Sequence, residues 1–239
     1  MQAEHDHHPD RIAERLTAGP RVNYLRDWVY GGIDGAVTTF AIAAGAVGAD
    51  LSIRVVQILG IANVLADGFS MAAANYSGTK ADIDDYRRIR EQEERHVELY
   101  PEGEREEIRQ IFRAKGFAGD DLERIVNIIS SSKRAWVDTM VTEEYGLSLL
   151  QRSPVIAAFS TFAAFLLCGV VPLIPFALDV SNEPVAASVA TALVFFTIGS
   201  VKSRWSTQRW YRSGGETLAI GMGAAAIAYG AGALLDAAV

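Results

Sequence analysis

Cysteine is almost absent from this chain of 239 residues: the single Cys168 lies in an apolar run, which excludes an intrachain disulfide and a thiolate cluster within one subunit. Histidine is scarce. Of four, His5, His7 and His8 surround Asp6 in a short tail, and only His96 lies beyond it. A flexible tail with no supporting shell holds metal loosely. Positive charge is in deficit, with 22 Lys and Arg against 29 Asp and Glu and a net charge of −7, so no nucleic-acid footprint is expected. Residues 1–26 are polar and charged where a cleavable signal carries an apolar core, and the first apolar segment is expected to direct insertion itself.

What the chain does have is segregation. Half of its residues are hydrophobic and 21% charged at a mean hydropathy of +0.14, values that fit apolar and charged blocks better than an even mixture. A bilayer span takes about 20 apolar residues at 1.5 Å each. Five segments qualify, at 28–49, 55–77, 154–178, 184–201 and 217–235. Cytosolic loops retain Lys and Arg; with the amino end inside, Arg54 is the only basic residue outside. The expected fold is an all-α membrane protein of five transmembrane helices, amino end in and carboxyl end out, with a three-helix cytosolic metal-binding subdomain between spans two and three.

The expected divisions are a cytosolic segment at 1–27, two spans within 28–79, the cytosolic domain at 80–152 and three spans within 153–239. Breaks at 100–103 and 116–119 give the domain its three helices. No breaker falls between Met71 and Leu99, so span two should run on as one helix and tie the domain to the membrane. Pro172 and Pro175 should loosen the outer end of span three. Gly31 and Gly35, one turn apart, permit close helix contact.

Ionisable groups within a span are costly and mark functional positions, which singles out Asp34 and Asp67. Asn63, Asp67 and Met71 follow an i, i+4, i+8 pattern on one helix face. Asp34 and Met71 each lie six residues from a cytosolic boundary, roughly 9 Å into the membrane. A carboxylate beside a thioether suits Fe(II) or another borderline ion better than Mg2+ or Ca2+; the plain alternative for Met71 is packing.

The acidic block repeats carboxylates at helical spacing: Glu91, Glu94 and Glu98, then Glu104 and Glu107. Such clusters repel unless metal or basic neighbours neutralise them, and Arg87, Arg88, Arg90, Arg95, Arg105 and Arg109 are at hand for a solvated face. Glu93 to His96 reads E-x-x-H, half of a ferritin-like di-iron motif that ordinarily comes in two copies; here there is one. Trp136, Met140 and Glu144 at i, i+4, i+8 set a thioether beside another acid, with Trp136 as an interfacial anchor.

With these residues in view, the sequence resembles the vacuolar iron transporter family. The stretches that carry the resemblance are LRDWVYGGIDGAVTTFAIAAG, ADGFSMAAANYSGTKADIDDY, REQEER, PEGEREEI and WVDTMVTEEYGL. It implies a five-span bundle with a cytosolic metal-binding domain, a homodimer and proton antiport. Position by position, it places the family's span-one aspartate on Asp34 and its span-two methionine on Met71. Its domain glutamates fall on Glu91, Glu94, Glu104, Glu107 and Glu144, and a methionine falls on Met140. Two departures stand out. Asn63 replaces a carboxylate of the plant-type members while Asp67 supplies one a turn later, and Val141 replaces the second of two paired methionines.

The expected activity is export of Fe(II) from the cytosol against protons, with Mn(II) or Zn(II) as alternative ions. Asp34, Asn63, Asp67 and Met71 would line the path; Glu91, Glu94, Glu104, Glu107, Met140 and Glu144 would collect the ion. No enzymatic activity, catalytic residue or catalytic cofactor is expected. Two rivals stand beside this reading: a membrane-anchored iron-binding or storage protein with a ferritin-like carboxylate site, and a metal-responsive module whose spans only anchor it. Arg outnumbers Lys and no targeting segment precedes span one, which points to a bacterial cytoplasmic membrane as host.

Overall fold

The structure is a computed structural model that describes residues 6–178 and 180–237, without the side chains of Leu235 and Asp236. His5 and Asp179 lie outside the described residues. These form helices only: α1 (Pro9–Ala18), α2 (Leu25–Gly48), α3 (Ile53–Leu99), α4 (Pro101–Ala114), α5 (Gly119–Ser130), α6 (Lys133–Glu143), α7 (Pro154–Gly169), α8 (Ile174–Ala177), α9 (Glu183–Lys202) and α10 (Trp210–Asp236). Short 3-10 turns follow α7, at Val171–Leu173, and α9, at Ser203–Trp205.

Among the described residues, five helices are long and apolar enough to cross a membrane: Leu25–Gly48, Ile53–Leu99, Pro154–Ala177, Glu183–Trp205 and Trp210–Leu234. The chain folds as two compact units. One comprises Asn23–Gly78 with Ser153–Val239; the other comprises Thr79–Arg152 with the amino-terminal segment that ends at Val22. α3 contributes to both and runs unbroken for 47 residues, because no proline between Met71 and Leu99 removes a backbone donor, and the lone Gly78 is tolerated within the helix.

In the apolar unit α2 is central and packs against α7, α9 and α10. Its contact with α7 is backbone to backbone. A Cβ on Gly31 would lie 2.2 Å from the Thr161 carbonyl oxygen, and one on Gly35 2.5 Å from that of Phe165; only glycine permits this approach. The prolines act as the sequence suggests: α7 stops at Gly169, and Pro172 and Pro175 lie in the 3-10 turn and in α8. The fifth span begins at Trp210, seven residues ahead of the apolar run at 217, since Arg212 and Glu216 lower hydropathy without interrupting helical hydrogen bonds.

The hydrophilic unit has its own core, built from Ile89, Val97, Ile108, Leu122, Val126, Trp136, Val137, Met140 and Val141. The stretch expected to form one helix after Gly119 is two, α5 and α6. The break at Ser131 and Ser132 ends in an N-cap, where the Ser132 hydroxyl accepts a 3.4 Å hydrogen bond from the Ala135 amide.

Candidate metal centre

A buried carboxylate is costly without a cation or donors around it, so the ion pairs of the hydrophilic unit decide which acids are accounted for. Glu94 pairs with Arg90 at 3.2 Å and Glu98 with Lys133 at 2.5 Å. Glu106 and Glu123 share Arg109, and Glu143 pairs with Lys115. Glu93, Glu104, Glu107 and Glu144 have no Arg or Lys partner among the described ion pairs.

These four acids are drawn to one place. Glu93 lies on α3 between Ile89 and Val97, one turn away on each side, and all three are buried. Glu104 starts the inward stripe of α4, one turn before the fully buried Ile108. The turn at Tyr100 folds α4 back so that the two carboxylates meet. His96 Nδ1 is 3.6 Å from Glu93 Oε1 and 3.4 Å from Glu104 Oε1. One ligand atom from each of Glu93, His96 and Glu104 lies within 4.8 Å of the others. Tyr145 donates a 3.1 Å hydrogen bond to Glu93 Oε1 and accepts one of 3.1 Å from Gln92.

The second oxygen, Oε2, of both Glu93 and Glu104 is buried without a hydrogen-bond partner among the described residues. The electrostatic consequence is large. Burial pushes the Glu104 carboxyl up to about 7, aided by the negative charges of Glu107, Glu93 and Glu144. Glu144 is likewise raised, first by its own desolvation and then by Glu107 and Glu93, and desolvation together with Glu93 raises the Tyr145 hydroxyl. A group of acids that repel one another around an imidazole is relieved by one divalent cation. Carboxylate and imidazole together suit a borderline first-row ion, whereas Mg2+ and Ca2+ take oxygen donors alone.

Of the residues singled out from sequence in this unit, Glu104, Glu107 and Glu144 take part in this cluster, and so do Glu93 and His96, which the sequence offered only as half of a ferritin-like motif. Glu91 is exposed and Glu94 is held by Arg90, both on other faces of α3. Met140 is fully buried in the apolar core, one turn before Glu144. Glu93 and His96 stand two residues along from Glu91 and Glu94. The signal for them was the Ile89, Glu93, Val97 stripe, an acid flanked on one face by aliphatic residues.

Within the apolar unit, Asn63, Asp67 and Met71 are half-buried on the inward stripe of α3, bordered by buried Val64, Gly68 and Ala72. Asn63 donates to the Thr38 hydroxyl at 3.1 Å and to that of Thr39 at 3.4 Å, and Thr38 in turn donates to the Asp34 carbonyl at 2.9 Å. Asp34 is half-buried, and its charge interacts with that of Asp67. A further acid, Asp27, is 2% exposed near the start of α2. Asn75 donates to its carboxylate at 2.9 Å and to the Thr161 hydroxyl at 2.7 Å, which joins α2, α3 and α7. Polar residues in the interior of an apolar bundle are linked in this way because lipid offers them no partner.

Together these features define a multi-span helical membrane protein that carries a cluster of two buried carboxylates and a half-buried histidine suited to a transition-metal ion. The sequence model of the VIT family matches residues 25–233, and the chain belongs to that family. It is 34% identical over 226 residues to the vacuolar iron transporter of Toxoplasma gondii, covering 90% of this chain and 75% of the relative. It is 33% identical over 227 residues to vacuolar iron transporter 1 of Arabidopsis thaliana, covering 94% and 88%. Vacuolar iron transporter 2 of Oryza sativa subsp. japonica is 33% identical over 226 residues, covering 92% and 90%.

Proposed function

We propose that this protein transports Fe(II), with Mn(II) or Zn(II) as alternative ions, out of the cytosol in exchange for protons, and that it works as a homodimer. The observation that carries the metal-handling part is the Glu93, His96 and Glu104 cluster, two buried carboxylates and an imidazole with no Arg or Lys partner among the described ion pairs. In this reading residues 80–152 form a cytosolic metal-binding domain, and Glu107 and Glu144 complete the intake. Asp34, Asp67 and Met71 receive the ion within the membrane, and Asn63 holds α3 to α2 beside them. A carboxylate does not hold a proton and a metal together, so protonation of Asp34 or Asp67 can alternate with metal occupancy. The relatives named as iron transporters support iron as cargo; the family resemblance supports the dimer and the exchange.

The protein reconstituted in liposomes with a pH gradient should move Fe(II). Loss of flux in Asp34→Asn, with metal binding intact, supports transport. Unchanged flux in that variant sinks the path. A storage role predicts iron retained on the protein and no flux in either form.

A further inference from the structure

The metal reading leaves unused the basic end of the apolar unit. Residues 202–212 hold Lys202, Arg204, Arg209 and Arg212 among Trp205, Trp210 and Tyr211. None of these cations, nor Arg26 at the start of α2, enters an ion pair among the described residues. Trp205 and Trp210 are 58% and 59% exposed, as aromatic rings at a headgroup boundary are.

Two cavities lie side by side there. The first, of about 570 Å³, is lined on its polar side by Asn23, Arg26, Tyr30, Lys202, Trp205 and Ser206. The Arg26 guanidinium lies over the Tyr30 ring, 5.2 Å from its centre, which limits the directions it can take. The second cavity, of about 620 Å³, is an apolar groove between α2 and α9 with walls that include Val171, Ala190, Leu193, Val194 and Val201. Leu25 and Val29 line both. A mouth with two cations that enter no ion pair among the described residues therefore lies beside a hydrocarbon-lined slot.

The geometry points to a binding site for an anionic phospholipid, with its phosphate between Arg26 and Lys202 and an acyl chain in the groove between α2 and α9. Guanidinium and ammonium groups at a bundle edge attract anionic headgroups, and the groove takes an apolar tail. A zwitterionic headgroup fits less well, because no carboxylate among the described residues lines the mouth to receive its ammonium. A free phosphate would satisfy the cations and leave the groove without a role. Bound lipid would brace α9 against α2, the helix that carries Asp34.

Native mass spectrometry of the delipidated full chain in detergent tests this, with phosphatidylglycerol, phosphatidylcholine and glycerol 1-phosphate as probes. Phosphatidylglycerol should bind roughly fivefold more tightly than phosphatidylcholine, whose phosphate meets the same two cations but whose choline charge they repel. Arg26→Gln with Lys202→Gln should abolish that preference, and Arg87→Gln with Arg88→Gln should retain it. Ala190→Trp, which fills the groove and keeps both cations, should weaken phosphatidylglycerol binding at least tenfold. Equal binding of the two lipids, a preference that survives Arg26→Gln with Lys202→Gln, or full-strength competition by glycerol 1-phosphate would overturn the proposal. The last result would assign a free-anion site instead.

Discussion

His96 Nδ1 stands 3.4 Å from Glu104 Oε1 across the turn at Tyr100 that reverses the chain from α3 into α4. The contact joins the one histidine outside the amino tail to a carboxyl that burial pushes up to about 7. A first-row divalent ion bonds nitrogen and oxygen at about 2.0–2.2 Å, so small side-chain movements close the cluster around it.

His96→Ala should weaken Zn(II) or Fe(II) binding by at least the roughly tenfold to hundredfold that loss of a supporting partner costs. Glu91→Gln and Glu94→Gln should change it by less than about threefold, since neither carboxylate is part of the cluster. Isothermal titration of the full chain in detergent measures both; equal losses in all three variants would remove the cluster from the binding account.

Metal affinity should rise steeply between about pH 6 and 8. Glu104 is raised, so in the folded protein its proton is retained up to about 7 and must leave before metal binds. Without metal the sign reverses. Stability from the protonated Glu104 is complete below its ordinary carboxylate range and declines as pH rises towards about 7, where the buried charge forms. Metal-induced thermal stabilisation should therefore be small at pH 6 and large at pH 8, and Glu104→Gln should flatten the metal-free dependence. Melting curves with and without Zn(II) read both.

Asp34→Asn and Asp67→Asn should each reduce Fe(II) flux into proteoliposomes by tenfold or more and leave metal affinity of the hydrophilic unit within about twofold, because that cluster includes neither residue. Glu93→Gln with His96→Ala should have the reverse signature: flux lost at low Fe(II) and recovered at saturating Fe(II). Indifference of flux to Glu93 and His96 at every concentration would refute the intake role.

Gly31→Ala should destabilise the protein by about 1–3 kcal/mol, the usual cost of forcing a methyl into closed packing, because its Cβ would lie 2.2 Å from the Thr161 carbonyl oxygen. Gly215→Ala, where no atom comes within 4 Å, should be neutral or slightly stabilising through helix propensity. Denaturant titration in detergent separates the two.

The sequence by itself determined the five long apolar helices and their punctuation. The bilayer demands about 20 apolar residues in a row, and Pro172, Pro175 and the turn at Tyr100 interrupt hydrogen-bonded helix locally, so both signals are contained in short windows. Gly31 and Gly35 announced a close contact in the same way, although only the structure named α7 as the neighbour. The break at Ser131 and Ser132 was less legible, for serine caps helices without excluding them.

The candidate metal centre was decided by tertiary structure. Residues two apart on a helix face about 200° away from each other, so Glu91 with Glu94 and Glu93 with His96 look equivalent as text while pointing to different surroundings. Packing of Ile89 and Val97 turned Glu93 inwards, and the return of α4 brought Glu104 to it. Which acids Arg90, Arg109, Lys115 and Lys133 neutralise is likewise a matter of distance in space, because ion pairing depends on where helices meet and leaves no mark in the order of residues.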